Sequence, residues 1–241
     1  MRSAARAERA GTGPSAGTLR IGGLVPLTSI DFPGRLAAVL FCQGCPWQCG
    51  YCHNPHLIPP QVPPAMAWDD FLSFLARRRG LLDGVVFSGG EPTLQAALPE
   101  AMGAVRRMGF QIALHTAGMY PDRLASVLPL VDWVGFDIKG PAHCHEAITG
   151  TPGGAARAMA SLDRLLASGV PYECRTTWDP GLFDEAALMA LADGLTARGV
   201  RHWSLQVCNR AGRPVPWPPG VAGRLASAFP QLALRAVAGL A

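Results

Sequence analysis

The sequence predicts an α/β domain built on a mainly parallel sheet of six strands, and three observations carry that prediction. Amphipathic stretches end repeatedly in a glycine that leads into an apolar run. Strand-plus-helix units recur at roughly thirty residues. The residues able to do chemistry cluster just after the apolar runs. The glycines are Gly80, Gly109, Gly169 and Gly199. A residue just past a helix end often turns left-handed, which glycine does without a Cβ clash, so each announces a helix feeding a strand.

Taken in order, the first strand is 36–41. Residues 85–87 follow Gly80, 111–115 follow Gly109, and 133–138 follow a helix near 121–130. Residues 171–176 follow Gly169, and 202–207 follow Gly199. Such units join by right-handed crossovers, which leave neighbouring strands parallel. Six of them suit an open partial barrel, and a doubly wound flat sheet would show the same alternation. With 241 residues, 49% of them hydrophobic, the chain fits one domain. Residues 1–17, rich in Ala, Arg, Gly and Ser, read as a disordered lead-in to a single domain over 18–241. Residues 209–241, which begin with a stretch rich in proline, arginine and glycine, read as a cap over the barrel mouth or a contact for a partner.

The net charge of +4 comes from 21 basic and 17 acidic residues with no basic block, so neither nucleic acid nor an anionic membrane is required as a partner. No apolar run reaches the ~18 residues of a membrane span, and the N-terminus lacks a secretory core, so a cytoplasmic protein is expected. Its resemblance to an organelle transit peptide is superficial, because the segment is short and contains Glu8.

Seven cysteines are present, four of them within residues 42–52. In a cytosolic protein such clustering points to metal binding or redox chemistry more than to disulfides. Cys144, Cys174 and Cys208 stand alone and read as small hydrophobes. The cysteine cluster follows the first strand, Ser88-Gly89-Gly90-Glu91-Pro92 the second, and Thr116-Ala117-Gly118 the third. Asp137-Ile138-Lys139 closes the fourth strand, Arg175-Thr176-Thr177 the fifth and Gln206 the sixth. Ligand sites in parallel α/β folds lie at the carboxyl ends of the strands, so the six motifs should share one rim and one site.

Cys45-xxx-Cys49-xx-Cys52 sets three thiolates in a short loop, where they can wrap one face of an iron–sulfur cube and leave the fourth iron open to a small molecule. Two other readings stand beside it. Zinc could recruit Cys42 and His53 as further ligands. All four cysteines could close a cluster and make an electron carrier. Cys42, at the end of the first strand and ahead of the loop, reads instead as a packing residue. Asp137 and Lys139, two apart on an otherwise apolar strand, share a face and are costly there unless they meet a ligand or each other. Arg175 offers a fork suited to a carboxylate.

The cysteine spacing, the aromatic Tyr51 before the last cysteine and the Gly-Gly-Glu-Pro after the second strand resemble the radical S-adenosylmethionine (SAM) superfamily. Asp31-Phe32-Pro33-Gly34, Phe41-Cys42-Gln43-Gly44-Cys45, Tyr51-Cys52-His53-Asn54-Pro55 and Asp137-Ile138-Lys139 are similar to its activating enzymes of glycyl radical proteins. Among these, the resemblance is to the activators of anaerobic ribonucleoside-triphosphate reductase. It spans about residues 21–208 and implies a partial (β/α)6 barrel of the radical SAM type.

By that resemblance, Cys45, Cys49 and Cys52 ligate three irons of a [4Fe–4S] cluster, and SAM chelates the fourth. Tyr51 lies beside the adenine, Gly89 and Gly90 let the backbone approach the SAM amino group, and Asp137, Lys139 and Arg175 take ribose hydroxyls and carboxylate. His53, Ser88, Glu91, Thr116 and Gln206 complete the cofactor-binding set. A flavodoxin or ferredoxin supplies an electron that cleaves SAM to methionine and a 5′-deoxyadenosyl radical. The radical takes hydrogen from a glycine of a glycyl radical enzyme, here anaerobic ribonucleotide reductase. A radical SAM enzyme acting on a small molecule, of the 7-carboxy-7-deazaguanine synthase type, is the enzymatic alternative. One departure stands out. Several activating enzymes carry Asp-Thr-Asn-Gly after the third strand, where the aspartate helps to hold a monovalent cation beside SAM. This chain has His115-Thr116-Ala117-Gly118, and histidine is a poor ligand for a hard cation.

Overall fold

A computed structural model describes residues 14–210, 212–229 and 231–235. Most of the expected lead-in and the last six residues therefore lie outside the described residues. Within the lead-in, a short 3-10 turn at Ala16–Thr18 buries Ala16.

The elements run β1 (Ile21–Thr28), β2 (Ala37–Cys42), α1 (Trp68–Ala76), β3 (Gly84–Gly89), α2 (Leu98–Arg107), β4 (Gln111–Thr116), α3 (Pro121–Val127) and β5 (Trp133–Asp137). They continue with α4 (Ala142–Thr149), α5 (Gly154–Ser168), β6 (Tyr172–Trp178), α6 (Glu185–Ala197), β7 (Trp203–Val207), β8 (Asn209–Arg210), β9 (Arg213–Pro214), α7 (Val221–Ala228) and β10 (Leu232–Arg235). Helix α2 illustrates why these segments fold as they do. Leu98, Ala101, Met102 and Val105 form one apolar face, Glu100 sits in the first turn, and Arg106 and Arg107 complement the dipole in the last. The chain then turns at Gly109, whose φ is +94°.

The sheet has eight strands in the order β1-β2-β3-β4-β5-β6-β7-β10. From β2 onward every pair is parallel, and β1 lies antiparallel on β2. Six of these strands are those expected from the sequence. The two additions stand at the edges, so the expected count of six was low. Strand β1 escapes the pattern because Gly22, Gly23 and Pro26 interrupt its apolar residues and its pairing carries two irregularities. The parallel order follows the chain without reversing, as in a barrel, whereas a doubly wound sheet turns back on itself.

One core cluster joins apolar residues from all seven helices to a single face of the sheet. The opposite, inner face has a separate small cluster of Ala37, Val39, Val86, Ala113 and Trp133, plugged by Phe32 from the β1–β2 connection. Above this apolar floor the inner face turns polar.

Candidate functional site

Alternation along the strands decides which side chains reach that polar level. On β2, Ala38, Leu40 and Cys42 enter the helix-side core, while Ala37 and Val39 point inward. The same parity brings Ser88, His115, Asp137, Arg175, Thr177 and Gln206 to the inner face near the carboxyl ends of their strands. All six line one cavity, and so do Tyr51, His53, Gly89, Gly90, Glu91, Thr116 and Lys139. Every site residue expected from the sequence thus lines one cavity.

Cys45, Cys49 and Cys52 line that cavity, while Cys42 is fully buried on the helix side. The cysteine loop is fixed by backbone bonds from Gly44 to Leu57 (2.8 Å), Cys45 to Ile58 (3.0 Å) and Gln48 to Thr149 (2.9 Å). Trp47, Ala117, Met119 and Ala158 form an apolar shell against Cys45 and Cys49. Burial pushes the Cys45 thiol up to about 12, and it raises Cys49 against the pull of Lys139. Such thiols must give up their protons to solvent as they bind metal, so loading the site releases protons.

Gly89 and Gly90 prove necessary for a reason the sequence did not offer. A Cβ on Gly89 would meet the backbone nitrogen of Cys42 at 2.3 Å, and one on Gly90 the carbonyl oxygen of Gly44 at 2.2 Å. The second strand's loop therefore lies directly on the cysteine loop, tied by Gly90 N–H to Cys42 O and Glu91 N–H to Gly44 O, both 2.9 Å. Glu91 is 2% exposed. Its carboxylate accepts from Thr93 N–H (3.1 Å), the Thr93 hydroxyl (2.5 Å), the Thr116 hydroxyl (2.7 Å) and Ala117 N–H (2.9 Å). It clamps the loop after β3 to the loop after β4.

Across the cavity, Asp137 sits between two cations. Arg175 donates through Nε (3.0 Å) and Nη2 (2.9 Å) to Oδ1, and Lys139 Nζ donates to Oδ2 (3.2 Å). Burial alone would raise the Asp137 pKa, but Arg175 and Lys139 outweigh it and hold the carboxyl well below its usual range. Burial works against the charged Lys139 as well, and Asp137 more than restores it. Gly135 makes room for this arrangement, since a Cβ there would stand 2.8 Å from the Arg175 guanidinium. Tyr51 is buried, and its hydroxyl reaches the Lys139 carbonyl at 3.4 Å.

Sequence reasoning missed Trp47 as a lining residue, because it belongs to no recognisable motif, and it placed Thr177 on the rim without giving it a role. It also passed over one compositional signal. Lys139 is the only lysine in the chain, beside twenty arginines.

The donor set suits an iron–sulfur cube better than zinc. Among the described residues no three His, Cys, Asp or Glu side chains gather as a single ion needs. Three thiols spread along one wall, each able to take its own iron, fit a cluster with one open corner. Among the described residues no helix is long and apolar enough to cross a membrane.

Residues 39–192 match the family model described as the Radical SAM superfamily. A Methanocaldococcus jannaschii protein, provisionally named a glycyl-radical enzyme activating enzyme, is 30% identical over 181 residues, 71% of this chain and 73% of its own length. The pyruvate formate-lyase-activating enzyme of Clostridium pasteurianum is 33% identical over 125 residues, 50% of this chain and about half (52%) of its own length. Among solved structures, a radical SAM methyltransferase from Sphaerobacter thermophilus superposes with a TM-score of 0.64 at 17% identity, covering 88% of this chain and 69% of that one.

Proposed function

The chain belongs to the radical SAM superfamily, and from that premise we propose that it activates a glycyl radical enzyme, with anaerobic ribonucleoside-triphosphate reductase as the partner. The observation that carries this reading is that three thiols and the Asp137, Lys139 and Arg175 set face one another across a single open cavity. Its cofactors are a [4Fe–4S] cluster and SAM. When bound and reduced by a flavodoxin or ferredoxin, the cluster supplies the electron that splits SAM into methionine and the 5′-deoxyadenosyl radical that takes hydrogen from the partner's glycine.

The chain's own residues do the positioning. Cys45, Cys49 and Cys52 hold the cluster from one side and leave the other to SAM. Gly89 and Gly90 let their loop pack onto the backbone of Cys42 and Gly44, and their own backbone would be left open to the SAM amino group. Lys139 and Arg175 would take the carboxylate, and Asp137, fixed as an anion between them, would accept from ribose hydroxyls through its remaining lone pairs. Tyr51 and His53 would flank the adenine, and Ser88, Thr116 and Gln206 would supply further polar contacts. The apolar shell of Trp47, Ala117 and Met119 keeps water from the reacting atoms. The similarity to activating enzymes over most of the chain favours a peptide glycine as hydrogen donor, reached through the open side of the sheet. Such chemistry belongs in an anaerobic cytoplasm.

The test is made without oxygen: the chain is loaded with iron and sulfide, reduced with dithionite and mixed with SAM and the reductase. The expected result is 5′-deoxyadenosine together with a glycyl doublet in the electron paramagnetic resonance spectrum, both lost in Cys49→Ala. If 5′-deoxyadenosine forms but no glycyl signal appears on the reductase, the partner assignment is wrong. If no 5′-deoxyadenosine forms despite a full cluster, the activase reading falls with it.

A further inference from the structure

The departure at the third strand has a structural counterpart. His115 is 9% exposed and stands edge-on to Trp133, with ring centroids 5.7 Å apart. Its Nε2 lies 2.9 Å from the carbonyl oxygen of Asp31, and its Nδ1 lies 3.5 Å from the Ser88 hydroxyl. A carbonyl only accepts, so Nε2 carries the proton and Nδ1 is left to accept from Ser88. Burial and the nearby Arg175 push the imidazole down to about 3, which keeps it neutral. Arg175 Nη1 comes to 3.4 Å from the protonated Nε2, two donors side by side with no hydrogen bond between them. A guanidinium thus occupies the neighbourhood of the residue that, as an aspartate, would help to hold an alkali ion.

The surrounding oxygens already have protein partners. The Thr116 hydroxyl donates to Glu91 and accepts from Gly118 N–H at 3.0 Å. Both Glu91 oxygens are bonded by protein donors, and both Asp137 oxygens face protein cations. An alkali ion placed here would find a neutral nitrogen ring and a fixed positive charge where it needs unpaired oxygens. The donor chemistry does not fit the ion.

We propose that this site binds SAM without a monovalent cation, the Arg175 guanidinium, held by Asp137 beside the neutral His115, supplying the positive charge that an ion would otherwise supply. The inference rests on SAM binding, which follows from family membership, and not on the identity of the partner.

The test is a binding measurement on the anaerobically loaded chain. SAM is titrated by calorimetry in potassium chloride, sodium chloride and tetramethylammonium chloride at one ionic strength. The expected result is a Kd that stays within about twofold across the three salts. A Kd about tenfold weaker in tetramethylammonium than in potassium or sodium would overturn the proposal. In His115→Asp, which restores a carboxylate, binding should become potassium- or sodium-dependent by about fivefold or more. If that variant does not fold, the unsubstituted chain decides alone. Binding that is salt-independent while no glycyl radical forms on the reductase would support this inference and reject the proposed partner.

Discussion

Cys42 and Cys45 stand three positions apart, yet one thiol enters the helix-side core and the other lines the cavity. Replacing Cys42 with Ala should therefore leave the iron content of the loaded protein unchanged, whereas Cys49→Ala should lose most of it, as read by colorimetric iron assay. Asp137 gives a prediction with a sign. Its folded pKa lies below the unfolded value of about 3.9, so its ion pairs add stability that is complete above that value and is lost as pH falls toward the folded one. Asp137→Asn should cost about 1–2 kcal/mol at pH 7 after allowance for solvent screening. In urea unfolding the difference from the parent should shrink at pH 3, and an unchanged difference would contradict the assignment. Lys139 offers a further check, because a lysine held protonated reacts slowly with amine reagents. Acetylation followed by mass spectrometry should modify Lys139 in the unfolded chain far faster than in the folded one.

At the level of elements, the glycines fall into two classes. Gly169 has φ +73° with open space around its Cβ position, so Gly169→Ala meets only backbone strain and should cost about 1 kcal/mol. Gly90 meets the Gly44 backbone instead, and Gly90→Ala should cost about 1–3 kcal/mol and disturb the cysteine loop, visible as a lower denaturation midpoint with reduced iron uptake. The helix-end glycines were legible in the sequence because their φ requirement is local. The contact between the β3 loop and the cysteine loop was not, because it joins residues far apart in the chain. Strands β3, β4, β6 and β7 were readable from apolar runs after those glycines, β2 and β5 from their apolar runs alone, and so was their shared rim. Edge strand β1, helix α4 and the elements after β7 were not, since interrupted, short or partly exposed segments carry no strong periodicity. That these residues line one cavity was readable by motif, while the clamps, Glu91 to Thr116 and Arg175 over Gly135, needed the fold.

For the molecule as a whole, the site is assembled by the sheet rather than by the cofactor. The cysteine loop is bonded to Leu57, Ile58 and Thr149 through its backbone, and the strands beneath it share one continuous core. Removing iron with a chelator should leave the far-ultraviolet circular dichroism spectrum essentially unchanged while lowering the melting temperature, in contrast to small zinc domains that unfold without metal. The opposite facing of Cys42 bears on repair as well. When oxygen strips the iron, three thiols remain around the cavity, and a disulfide between two of them leaves the third without a local mate. A fourth sulfur turned inward would allow two such bonds and a more thoroughly locked loop. With Cys42 held in the opposite layer, a single thiol–disulfide exchange is enough to reopen a loop oxidised only to the disulfide, after which iron and sulfide can be resupplied.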